Sequence, residues 1–145
     1  MKREILFKAR CIADGRWVVG CFLEDATDGC GIYKKENQAT YFVDPKTVSQ
    51  YTGLVDRKGN MVFENDVLQS AENEEAYGIV GWNPHGFWCI SASRYYVLNP
   101  DVPLGKDAQI ETNKTMLVNC TVVGNIWDDD VREELFGLLK YSEKE

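Results

Sequence analysis

Apolar residues fall in short runs broken by turn residues, and most runs alternate with polar positions in the way a half-buried strand does. Ile5, Phe7 and Ala9 alternate with charged or polar neighbours except at Leu6, which predicts a strand over 3–10. Asp14-Gly15 is a hairpin turn signal, and Arg16 to Leu23, with Trp17, Val18, Val19 and Phe22, is the returning strand. Residues 24–39 are polar, carry Asp28-Gly29-Cys30-Gly31, and read as a loop with at most a short strand near Ile32-Tyr33. Tyr41-Phe42-Val43 is a third strand candidate. Asp44 is a favoured N-cap and Pro45 is tolerated at the first helical position, so a helix of one to two turns is expected through Tyr51, ended by Gly53.

From Leu54 onward the pattern is one of turns and short strands. Asp56-Arg57-Lys58-Gly59 is a turn, Met61-Val62-Phe63 a strand, Glu64-Asn65-Asp66 a tight corner, and Val67-Leu68 resumes an extended run. Glu72 to Glu75 is an acidic loop tip. Tyr77 to Trp82 and Phe87 to Ile90 are strands joined by the turn Asn83-Pro84-His85-Gly86, and Ser91 to Val97 is a candidate continuation. Asn99 to Asn113 reads as a loop and Met116 to Ile126 as a long, Val-rich strand. The last element is a helix: Asp130 can cap it, Glu133 stands at capping-box spacing, and Val131, Leu135, Leu138 and Leu139 form an apolar stripe. The preceding Asp128-Asp129-Asp130 is more simply a capping device than a metal site, because three consecutive Asp cannot all face one ion without a loop around them.

Strand count and turn spacing predict a mostly β, α+β protein: an N-terminal hairpin and small α+β part over 1–52, then an SH3-like barrel with a C-terminal helix over 53–145. Composition leaves that picture intact: 145 residues with 44% apolar and 12% aromatic side chains can fill a core. No apolar run nears the ~18 residues that cross a bilayer, and Met1 to Lys8 has no apolar segment of a secretory leader, so a cytoplasmic protein is expected. Charge does change the picture. Residues 1–60 carry 10 Lys/Arg against 8 Asp/Glu, and residues 61–145 carry 6 against 15, within a total of −7. So acidic a second half argues against strong nucleic-acid binding, which depends on clustered Lys/Arg.

The stretch Gln50-Tyr51-Thr52-Gly53-Leu54-Val55-Asp56-Arg57-Lys58-Gly59-Asn60-Met61-Val62-Phe63-Glu64-Asn65-Asp66-Val67-Leu68 resembles the signature of the YopX family. That signature reads Q-[YF]-T-G-L-x-D-x-x-G-x-x-I-[YF]-E-G-D-[IV]-[IV]. Val122-Val123-Gly124-Asn125-Ile126-Trp127 is similar to the family's closing motif, and Arg3-Glu4-Ile5-Leu6-Phe7-Lys8-Ala9-Arg10 to its opening one. The resemblance implies a small phage or prophage protein with an N-terminal α+β part, an SH3-like barrel after the motif, a tendency to oligomerise, and no established activity. The motif also has a physical reading. Gly53 and Gly59 suit turns, Tyr51 and Leu54 can anchor the helix end on the barrel, Asp56 can bond backbone amides across its turn, and Glu64 and Asp66 flank a corner. Asn65 stands where the family has Gly, and Asn is the residue next best able to take positive φ. Gln50, Thr52, Gly124 and Asn125 complete a set that is expected to specify the fold.

No catalytic constellation emerges. His85, the one histidine, lies in a turn with no group to orient it, and there is no phosphate loop of the G-x-x-x-x-G-K type. The five cysteines, 11, 21, 30, 89 and 120, lack the C-x-x-C spacing of zinc ribbons and redox dithiols and read as buried reduced thiols. An enzyme, a cofactor or a metal is therefore not expected. Two readings remain. The one favoured by the resemblance is an oligomer-forming structural or regulatory protein, with a phage or host protein as a further partner. The other is an SH3-like module that binds a protein or nucleic acid through aromatic loops, with Trp82, His85, Phe87, Trp88, Tyr95 and Tyr96 as the contact residues.

Overall fold

The turn signal at Asp14-Gly15 is where the chain first reverses. In the computed structural model, which describes residues 5–25, 29–72, 77–83, 86–91, 109–111 and 119–135, strand β1 (Phe7–Arg10) pairs antiparallel with β2 (Trp17–Asp25). Gly15 takes φ +75°, and Asp14 accepts from the Arg16 amide at 3.0 Å and its guanidinium at 2.8 Å. β2 then pairs with β3 (Gly29–Lys34), and β3 with β4 (Ala39–Phe42). The expected loop over 24–39 is thus largely strand. Gly29 and Gly31 disguise β3 locally, and it is made a strand by its two neighbours.

A second correction concerns the helix expected after Asp44. Asp44 does cap, accepting from the Lys46 amide at 3.0 Å, but the helix is one 3₁₀ turn, Pro45–Thr47. The chain then extends as β5 (Ser49–Val55), which pairs with β1 at Phe7–Gln50 and Lys8–Ser49. Within β5, Thr52 and Val55 are β-branched and suit the strand better than a helix.

The chain divides into two compact units, Met1–Gly53 and Leu54–Glu145. In the first, the sheet curls back on itself. Val43, just past β4, bridges to Cys11, just past β1, with Ile12 N–H donating to Phe42 O (3.0 Å) and Asp44 N–H to Arg10 O (3.0 Å). The curl encloses Ala9, Cys11, Val18, Ile32 and Val43, with the Phe7 and Phe22 rings 5.5 Å apart beside them. Gly20 permits the tight coil, because a Cβ there would overlap the backbone carbonyl of Tyr33.

In the second unit β6 (Met61–Phe63) leads through a corner to β7 (Asp66–Ser70), followed by β8 (Tyr77–Asn83), β9 (Gly86–Ser91), β10 (Gln109–Glu111) and β11 (Cys120–Asn125). The antiparallel sheet runs β10-β9-β8-β7-β11. Among the described residues it is open, with β10 and β11 at its edges. β10 lies inside the expected loop 99–113, and β11 begins at Cys120, with residues 116–118 of the expected strand outside the described residues. The candidate continuation over 92–97 lies outside the described residues. Val62, Leu68 and Val80 form the core, with Leu54, Cys120 and Val122 packed on it. Where the helix is expected, the described residues after β11 include a π-helical turn, Val131–Leu135, and the rest of the expected helix, with Leu138 and Leu139, lies outside the described residues. No helix among the described residues is long and apolar enough to cross a membrane.

Candidate functional site

The family-like residues converge on two knots of hydrogen bonds in the second unit. The first is built on Asp56, which is 5% exposed. Its Oδ1 accepts from the amides of Lys58 (2.9 Å) and Asn60 (2.8 Å), closing the turn in which Gly59 takes φ +85°. Its Oδ2 accepts from the Asn60 side chain (3.1 Å) and, 66 positions along the chain, from the amide of Val122 in β11 (2.8 Å). The neighbouring amide of Arg57 donates to Cys120 O at 2.9 Å. The turn therefore occupies the β11 edge that β7 leaves open, with a carboxylate in place of a further strand's carbonyl. Burial alone would raise the Asp56 pKa, but the bonds from Val122, Asn60 and Lys58 together outweigh it and hold the carboxyl below its ordinary value.

The second knot joins the corner before β7 to the end of β11. Asp66 is fully buried; Oδ2 accepts from the Phe63 amide (2.8 Å) and Oδ1 from Asn125 Nδ2 (3.0 Å). Asn125 Nδ2 also reaches Glu64 O (3.4 Å), while its Oδ1 accepts from the Trp127 amide (3.0 Å). Asn65 takes φ +69°, the left-handed region, its N–H donating to Val80 O and its carbonyl accepting from the Ile126 amide. Glu64 contributes through its backbone carbonyl and is half-buried. At Gly124 there is no room for a Cβ: it would run into the buried Val131 side chain and stand 3.1 Å from Asp128 Oδ2.

The remaining motif residues lie on β5. Gln50 stands opposite Phe7, and the Tyr51 amide donates to Leu6 O at 2.8 Å. Thr52 is half-buried, Gly53 takes φ +86° on the exposed side, and Leu54 packs on the core of the second unit. Because the 3₁₀ turn ends at Thr47 and Tyr51 lies in β5, Tyr51 anchors no helix end. For the aromatic set only backbone register is described: Trp82 faces Phe87 across the β8–β9 hairpin, and Trp88 pairs with Gly81 and Glu111. His85, Tyr95 and Tyr96 lie outside the described residues.

Three participants escaped the sequence reading. Asn60 closes the Asp56 turn. Asp128 accepts from the Asn125 amide at 2.8 Å, so it locks a turn where a helix cap was expected. Arg132, 8% exposed, donates to Ile126 O (3.3 Å) and stacks over the Trp127 ring at 5.3 Å. The one signal in the sequence is the i, i+4 spacing of Asp128 and Arg132, whose amide donates to Asp128 O. Among the described residues no three His, Cys, Asp or Glu are grouped to hold a metal ion. Burial raises the pKa of the Cys11 and Cys120 thiols, which keeps them protonated; at Cys11 Asp14 adds to the rise and Arg16 opposes it. The carboxylates of Asp56 and Asp66 and the side-chain amide of Asn125 are engaged with backbone and, for Asp66 and Asn125, with each other.

No curated protein matches the chain. The profile of the YopX protein family matches residues 19–132, which takes in both knots and everything between them. The chain belongs to the YopX family.

Proposed function

We propose that this is a non-enzymatic phage or prophage protein that works by associating with copies of itself, in a structural or regulatory role. The observation that carries the reading is a division of labour between residues. The motif residues from Asp56 onward are occupied in holding the second unit together, while large apolar side chains of the first unit stand in solvent: Leu23 is 48% and Phe42 58% exposed. Exposed apolar area on a small protein is the kind of surface that a neighbouring subunit covers. The second unit fits an SH3-like barrel, since one core draws on Leu54, Val62, Leu68, Val80, Cys120 and Val122 and the Asp56 turn caps β11. Light scattering coupled to gel filtration at about 0.15 M salt tests the reading. A mass of several chains is expected; the 16.5 kDa of one chain at high micromolar concentration would overturn it.

A further inference from the structure

We propose that the first unit takes an extended segment of a different protein as an added strand on the open edge of β4, with alternate side chains of that segment against Ile12 and Phe42. It is separate from self-association and needs no second copy. β4 is the last strand of its sheet. Residues on an antiparallel strand turn their N–H and C=O alternately toward one neighbour and the other. The Val43 amide donates to Cys30 O on the β3 side, so Tyr41 also faces β3, while Thr40 and Phe42 face the open side. There Phe42 O accepts from the Ile12 amide. After Ile12 the chain turns back into the first hairpin, with the Gly15 amide donating to Cys11 O. Among the described residues Thr40 is thus left without a facing strand, its N–H and C=O pointing outward. Edges of this kind are ordinarily blunted by a charge, a proline or a covering segment. β11 is covered by the Asp56 turn. β4 has no such protection: Ala39-Thr40-Tyr41-Phe42 includes no charge and no proline, and Thr40 is exposed.

The face beside this edge is apolar. Cys11 and Val43 are buried in the core, so their neighbours Ile12 and Phe42 point away from it, 69% and 58% exposed. Gly31 and Leu23 continue the row from Phe42 across β3 and β2. Having no side chain, Gly31 leaves a trough of about 340 Å³ walled by Leu23, Thr40 and Phe42, with Glu24 beside them. An added strand gains main-chain bonds at Thr40 and, on alternate residues, apolar contact at the mouth of the trough; in strand addition the first gives affinity and the second selects the sequence. A second copy has little to offer this edge. Among the described residues its other outer strands are β6 and β10, three residues each, and β11, which is capped. Its own β4 does not fit either. Thr40 opposite Thr40 in an antiparallel pair sets the copy's Gln38 opposite Phe42, where Ile12 already stands. A free segment can end or bend away at that point.

The probe is a short peptide alternating valine and threonine and carrying an uncharged dye. Two forms are N-methylated along one edge or the other, which stops the peptide stacking on itself; a third is N-methylated along both. With no charge on the probe, neither Glu24 nor the net −7 of the chain draws it in. A single-edge form is expected to bind and to slow hydrogen exchange at the Thr40 amide, and the doubly methylated form is expected not to bind. Thr40→Pro removes an N–H that faces away from β3, so it is expected to fold and to weaken binding by about tenfold or more. Phe42→Ser is expected to weaken binding as well, and replaces the proline variant should a thermal melt show that one unfolded. Equal binding by the doubly methylated form, no binding by either single-edge form at high micromolar concentration, or a folded variant that binds as wild type does overturns the proposal. Assembly of the wild type that is lost in Thr40→Pro gives the edge to a second copy, which also overturns it and leaves self-association standing.

Discussion

At the scale of single residues, Asp56 carries the clearest consequence. Replacing it by Ala strands the Val122 amide and opens the turn, and is expected to cost about 3 kcal/mol, read from urea unfolding. Its ionised form is the one the fold favours, since its folded pKa is depressed. That stabilisation is present above the ordinary carboxylate value of about 3.9 and is lost as pH falls through the folded value. Wild type should therefore lose stability below about pH 4, and Asp56→Asn should flatten that acid limb; an unchanged limb would mean that other groups carry it. Gly124→Ala is expected to destabilise by about 1–3 kcal/mol, because the added Cβ meets a buried valine that has nowhere to move.

At the scale of elements, the π-helical turn is held by Val131 against Gly124 and by Arg132 over Trp127. Val131→Ala should cost about 2 kcal/mol. Removal of residues 129–145 should lower the melting temperature, and an unchanged melt would show that the turn contributes nothing. The first hairpin is legible in the sequence because Asp14-Gly15 encodes its turn locally. β3 is not, because two glycines break its apolar alternation and its strand character is supplied by β2 and β4. The expected helix is too long for a related reason: Asp44-Pro45 starts a turn, and the conformation of the next residues is decided by β1, which lies forty residues earlier and takes β5 as a partner. The motif is visible in the sequence, but not the reach of Asp56 to Val122 or of Asp66 to Asn125. Both are contacts of the folded chain between residues with no shared local pattern.

At the scale of the whole molecule, the charge imbalance bears on partners. A chain of −7 with its carboxylates concentrated after residue 60 should not shift random duplex or single-stranded DNA at about 0.15 M salt. A tight, salt-sensitive shift would instead point to a basic face that includes Lys8, Arg10, Lys34 and Lys35. Chelator treatment should leave the thermal melt unchanged, since neither cysteine spacing nor the described side chains suggest a metal. A loss of structure on chelation would disprove that.

The bond from Val122 to Asp56 also sets an order of events during synthesis. The pairings described in the first unit lie within the first 53 residues, so it can close while the ribosome is still translating the second. Asp56 and Asp66 emerge early, but their partners at 122 and 125 arrive only near the end of the chain. Until then Asp56 has only the local amides of Lys58 and Asn60, and Asp66 only that of Phe63, so each carboxylate waits with one oxygen short of its distant partner. Contacts of such long sequence separation form slowly. The family's two signature segments are thus the first and last pieces of a single late step, and a chain that stops before residue 119 has no means of completing it.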